Sequence, residues 1–264
     1  MLIDHLPVSL AMLPDVLKIF KMPDSQEFAK ISMRWLHIVG GITWIGMLYF
    51  FNVVNVPFQK GLDADTKKKV NPDLLGRALW YFRWGAVVTV LFGLGYYVMY
   101  LLKPNVTNAE TSTNIDINGK MLALVWLIIP IVTFFIEYLV IKKVPALIKD
   151  GRVYAVFAVI LFAAMTLVIL YWLDSGLHGY ASNSTLTIGV GGGMGLVMLL
   201  NVWGIIWPNN KRILAATAGT GPAAPPELAR QGFIASRTNA WLSLPMLLFM
   251  ASSPRGDWLI FSGK

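Results

Sequence analysis

Apolar runs separated by short polar breaks set the pattern of this chain. They fall at about 31–57, 81–102, 119–141, 153–173, 185–207 and 238–252. The first five reach the roughly 20 residues that cross a hydrocarbon core. The last is shorter and carries Pro245. The pattern predicts an all-α fold, a polytopic transmembrane bundle of six spans. Ahead of it, Leu10, Leu13, Leu17 and Phe20 recur at helical spacing among Asp4, Pro7, Pro14 and Asp15. Without a basic leading stretch this reads as an interfacial amphipathic helix rather than a cleaved signal. Three parts follow: an interfacial segment at 1–30, the bundle at 31–252 and a short tail at 253–264.

Composition agrees. Hydrophobic residues make up 56% of the 264 and charged residues 14%, against about 25% charged in soluble domains. The net charge of +8 therefore reads as the Lys and Arg of cytoplasmic loops facing anionic lipid, not as a nucleic-acid surface. There is no cysteine. That excludes disulfides, iron–sulfur clusters and a covalent c-type haem, so any haem must be non-covalent and held by His or Met, with haem b the expectation.

Basic residues also set the orientation. The loops after spans 1, 3 and 5 hold Lys60, Lys67, Lys68, Lys69, Arg77, Lys142, Lys143, Lys149, Arg152, Lys211, Arg212, Arg230 and Arg237. The other side holds Lys18, Lys21, Lys30, Arg34, Lys103, Lys120, Arg255 and Lys264. The excess places both termini outside. In a bacterial inner membrane that side is the periplasm.

The first span, "RWLHIVGGITWIGMLYFFNVVN", carries one of three histidines. At about 100° per residue, Arg34, Gly41, Trp44, Leu48, Asn52 and Asn55 all fall within about 60° of His37. A polar stripe of this kind belongs in the bundle interior. Gly41 leaves room beside His37. Two readings of His37 stand open. It bonds a carbonyl or hydroxyl on a neighbouring helix, or it ligates a metal, chiefly haem iron. His178 lies in a polar loop on the same outer side and reads first as solvated, with a metal role behind. Glu137, one turn inside Lys142 and Lys143, snorkels or pairs with an arginine. The run "GVGGGMG" at 189–195 has the wrong spacing for a dinucleotide loop, and Gly189/Gly193 and Gly191/Gly195 are helix-packing pairs. The acceptor tripeptides at Asn105 and Asn183 carry no weight. There is no Ser/His/Asp set, no Cys/His set and no carboxylate pair.

Four stretches together resemble the urate oxidase N-terminal family, the membrane part of bacterial urate hydroxylases: "RWLHIVGGITWIGMLYFFN" (34–52), "LWYFRWGAVVTVLFG" (79–93), "MLLNVWGIIWPNNKRILAA" (198–216) and "ASRTNAWLSLPMLLFMAS" (235–252). The resemblance implies a membrane-bound purine-oxidising enzyme that hydroxylates urate and passes electrons to a cytochrome c domain. It directs attention to His37, Asn52, Arg83, Asn201, Trp203, Trp207, Asn209, Arg237 and Asn239. Arg83, Arg237 and the asparagines Asn201, Asn209 and Asn239 would donate to an anionic, carbonyl-rich ligand, with Asn52 beside them. Trp203 and Trp207 would stack on it. His37, flanked by Gly41 and Trp44, would hold haem or carry a proton.

Two departures shape the functional expectation. The family places a histidine just after the last stretch, where this chain reads "ASSPRGDW". The chain also has no Cys-x-x-Cys-His. They favour an integral membrane subunit of a larger respiratory or oxidase-type complex. The alternatives are a urate hydroxylase-like enzyme serving a separate cytochrome c, and a haem or quinone carrier. Expected partners are the lipid bilayer, other membrane subunits and that cytochrome.

Overall fold

The computed structural model describes residues 23–253, 260 and 261. The predicted interfacial helix lies almost wholly outside the described residues, as does most of the 253–264 tail. The chain divides into two units, 1–32 and 33–264. In the first, Asp24 opens a helix, its Oδ1 accepting from the backbone N–H of Gln26 at 2.9 Å and Glu27 at 2.8 Å. A carboxylate there satisfies donors that the first turn leaves unpaired.

Every regular element among the described residues is helical. In order they are α1 (Ser25–Tyr49), α2 (Val56–Lys60), α3 (Ala64–Tyr97), α4 (Lys103–Thr113), α5 (Gly119–Lys143), α6 (Pro145–Lys149), α7 (Gly151–Gly176), α8 (Asn183–Asn201), α9 (Trp207–Thr217) and α10 (Glu227–Ala251). π-Helical turns at Phe50–Asn55, Val98–Leu102 and Val202–Ile206 join α1 to α2, α3 to α4 and α8 to α9. Each turn ends two residues before a proline: Pro57, Pro104 or Pro208. Proline lacks an N–H and crowds the carbonyl four residues back, so a widened turn ahead of it relieves the crowding. Proline permits the turn without forcing it, because Pro72, Pro130 and Pro245 sit inside ordinary helix.

Five continuous helices are long and apolar enough to cross a bilayer: Ser25–Lys60, Ala64–Thr113, Gly119–Lys143, Gly151–Gly176 and Asn183–Thr217. They contain the first five predicted spans. The sixth, 238–252, is the end of α10, which has the length but opens with Arg230, Gln231, Arg237 and Asn239. Pro245 does not break it. The polar runs read as breaks after spans 1 and 2 are in large part helical too, forming the start of α3 and all of α4. The result is an all-helical membrane bundle, consistent with a multi-pass protein. Large apolar side chains cover its outside, among them Ile42, Val159, Tyr171 and Trp241 at 66–74% exposure, as lipid as solvent allows.

The centre of unit 33–264 is α8. Of its apolar window 67% is buried, against 22–33% in the other four spans, and it touches α3, α5, α7 and α10. The glycines explain the fit. A methyl at Gly193 would come within 2.6 Å of Ile169 on α7, and one at Gly191 within 3.2 Å of the Met246 carbonyl on α10. Gly195 has open space around it, so the predicted Gly191/Gly195 pair packs through one member only. Asn105, on α4, donates to the Tyr180 carbonyl at 2.8 Å and accepts from the Ser182 N–H at 2.8 Å. Asn183 donates to the Ser252 carbonyl. Both acceptor-tripeptide asparagines are thus buried, Asn105 tying α4 to the segment before α8 and Asn183 tying α8 to the end of α10.

Candidate functional site

Most of the predicted ligand residues gather where α8, its π-turn and α9 meet α3, α5 and α10, and there they sort into assemblies of different character. The first surrounds Glu137, which is fully buried on α5. Its Oε1 accepts from the Tyr154 hydroxyl of α7 at 2.8 Å, and its Oε2 from Asn201 Nδ2 of α8 at 3.0 Å. The same Nδ2 donates to Asn239 Oδ1 of α10 at 3.0 Å, and Asn239 Nδ2 donates to the Met198 carbonyl at 2.9 Å. Four helices are tied through one carboxylate. The expectation that Glu137 snorkels or pairs with an arginine fails. Tyr154, which a linear reading passes over, is its partner.

Asn209 belongs to a second assembly at the ends of α5, α9 and α10. Lys142 Nζ donates to Asn209 Oδ1 at 3.1 Å and to Gln231 Oε1 at 2.8 Å. Asn209 Nδ2 in turn reaches the Leu228 carbonyl at 3.1 Å. Asn52, in the first π-turn, donates to the Leu48 carbonyl at 3.0 Å and to Ser236 Oγ of α10 at 2.9 Å. These groups have partners within the protein.

The third assembly does not. The Arg83 guanidinium carbon lies 3.7 Å from the centroid of the Trp207 ring and 5.8 Å from that of Trp203. Trp84 meets Trp203 edge to face at 5.6 Å. Arg83 Nε and Nη1 and Trp203 Nε1 are all buried with no hydrogen-bond partner. Each of the three is a donor. A cation clamped on an aromatic face, with its N–H groups unspent, is arranged to receive an acceptor-rich, planar, anionic group.

Arg237 stands apart from that trio. It lies over Phe233 at 5.3 Å and lines a groove between α7 and α10. His37 takes the carbonyl bond that its sequence allowed, with Nδ1 2.7 Å from the Thr89 oxygen on α3. Gly93, rather than Gly41, makes room for the ring, since a methyl there would come within 2.5 Å of Nδ1. Gly41 faces Thr89, and Trp44 is buried with Nε1 unpartnered. The Nδ1–H bond leaves Nε2 as the nitrogen for a metal. The fit for a haem stops there: the groove between α7 and α10 is lined by neither His37 nor His178. His178 sits in the loop after α7 at φ 52°. Among the described residues no three His, Cys, Asp or Glu side chains cluster to hold a metal ion.

A family model, urate oxidase N-terminal, matches residues 58–256. The chain belongs to that family. The match takes in Arg83, Glu137, Tyr154, Asn201, Trp203, Trp207 and Asn239, while His37, Gly41, Trp44 and Asn52 precede it. No curated protein and no solved structure matches the chain. Family membership describes a urate hydroxylase-like membrane domain, and within it the Arg83 cluster gathers three buried donors without a partner.

Proposed function

We propose that this chain is the membrane subunit of a redox assembly of the urate hydroxylase type, and that Arg83, Trp203 and Trp207 receive the purine. One observation carries the reading: three buried donors on two residues lack acceptors while the Arg83 guanidinium is stacked on Trp207. Urate is planar, anionic at neutral pH and edged with carbonyl oxygens. It would accept from the Arg83 fork and from Trp203 Nε1, and lie against indole rings. In the reaction the family membership suggests, water adds oxygen to the purine while two electrons and two protons leave it. The electrons pass to a c-type cytochrome outside this cysteine-free sequence, which is the subunit's expected partner.

The test is urate binding by the purified protein in lipid nanodiscs, read by quenching of tryptophan fluorescence and by calorimetry. Binding by the parent protein and its loss in Arg83→Gln, with the melting temperature kept, is the expected result. Added cytochrome c should be reduced in the presence of urate and not in its absence. A parent protein that binds no urate, or an Arg83→Gln variant that binds as tightly as the parent, ends the proposal.

A further inference from the structure

The groove between α7 and α10 is not used by that chemistry. The two helices touch only sparsely and leave about 710 Å³ between them. Sequence explains the gap. Gly151, Ala155 and Ala158 follow one another at helical spacing on α7, and the α10 side chains opposite line the space they leave without closing it. Lining residues run from Gly151 to Leu167 on one helix and from Arg230 to Pro245 on the other, which is about 22–24 Å of helix at 1.5 Å per residue. The walls are almost wholly apolar. The lining hydroxyls are engaged, since Tyr154 donates to Glu137 and Thr238 donates to the Ile234 carbonyl.

One half of the groove is different. Arg230 and Arg237 are two turns apart on the same face of α10, and both guanidinium groups sit over the Phe233 ring, at 5.8 and 5.3 Å from its centroid. Neither has an ion-pair partner among the described residues. Arg230 Nε donates to the Ile148 carbonyl at 2.8 Å and Nη2 to the Lys149 carbonyl at 3.2 Å. Those bonds hold the guanidinium in place and leave its other N–H groups unspent. Glu227 and Lys149 line the adjoining depression that Arg230 also borders. Two like charges with no ion-pair partner among the described residues, one at the end of a long apolar channel and one about 10 Å along it, match an anion that carries a chain. The loops at this end hold the excess of Lys and Arg, which places it in the leaflet rich in anionic lipid.

We infer that the groove is a binding site for one anionic phospholipid, an acyl chain lying over Ala155 and Ala158 and the phosphate between Arg230 and Arg237. Phosphate oxygens suit the paired guanidinium donors, and the length of the channel accommodates the chain. A lipid there closes the gap between α7 and α10 and covers Tyr154, which borders the groove and bonds Glu137.

Delipidated full-length protein in detergent, titrated with dioleoyl phosphatidylglycerol or dioleoyl phosphatidylcholine, tests this by native mass spectrometry and melting temperature. One phosphatidylglycerol should be retained per chain, at least tenfold more tightly than phosphatidylcholine, with a rise in melting temperature. Arg230→Gln should reduce that preference to threefold or less. Ala158→Trp, which fills the channel, should abolish retention of both lipids. Equal retention of the two lipids would overturn the inference, as would full retention by Ala158→Trp. Equal protection by inorganic phosphate alone, or stronger retention of an isoprenoid quinone, would overturn it as well.

Discussion

Two buried polar assemblies lie in the same bundle and answer the same physical demand in opposite ways. Around Glu137, donors and acceptors are matched across α5, α7, α8 and α10, with only the Asn201 carbonyl oxygen left over. Around Arg83, all three buried polar atoms without a partner are donors. A polar group in a low-dielectric interior costs stability unless it is bonded. A matched network therefore reads as part of the fold, and a set of unpaired donors as a place held for a ligand. The single unpaired acceptor in the Glu137 network does not weaken the contrast, because carbonyl oxygens are left under-satisfied more often than N–H groups.

The contrast breaks most sharply at Glu137. Glu137→Ala leaves the Tyr154 hydroxyl and Asn201 amide without their acceptor and opens a void, so unfolding free energy should fall by about 3–5 kcal/mol. Chemical unfolding in mixed micelles measures it. Glu137→Gln, which keeps the shape and one acceptor, should lose about 1–2 kcal/mol. Arg83→Gln should do the reverse. Loss of the contact with Trp207 and relief of two orphaned donors offset each other, so stability should stay within about 1 kcal/mol, and urate affinity should drop about 100-fold, near 3 kcal/mol. If Arg83→Gln melts as early as Glu137→Ala, the Arg83 cluster is structural and the distinction between the two assemblies collapses. Trp207→Leu removes the ring under the guanidinium. It should weaken urate about tenfold, read by the same calorimetry, and shift the melting temperature little.

How far the sequence discloses this depends on the distance between the interacting residues. Spans and the packing glycines are local, and the apolar runs fall inside five continuous helices. Orientation of side chains beyond a π-turn is not local. A constant 100° per residue puts Asn55 in line with His37, but the widened turn at Phe50–Asn55 leaves Asn52 as the buried asparagine, at 4% exposure. The Arg83, Trp203 and Trp207 grouping comes from stretches over a hundred residues apart. Residue type nominates each of them, but only the tertiary arrangement brings them together. Tyr154 carries no mark in the sequence, being one aromatic in an apolar run. The histidine on the first span is the reverse case, conspicuous in sequence and occupied, at Nδ1, with an ordinary carbonyl.

The smallest expected effect separates the two assemblies by its sign. Trp203→Phe deletes one of the three unpaired donors and keeps most of the ring. Removing a partner from a satisfied network always leaves something orphaned. Removing an orphan relieves its cost. The ligand-free variant should therefore be as stable as the parent or more stable by up to about 1 kcal/mol, while urate binds about two- to fivefold more weakly for want of the Nε1–H bond. The edge-to-face contact with Trp84 is kept in kind by phenylalanine, so loss of packing does not mask the gain. Melting curves with and without urate check both halves at once. A variant that is less stable without ligand would mean that Trp203 Nε1 is already satisfied in the membrane, and the case for a vacant donor set would then rest on Arg83 alone.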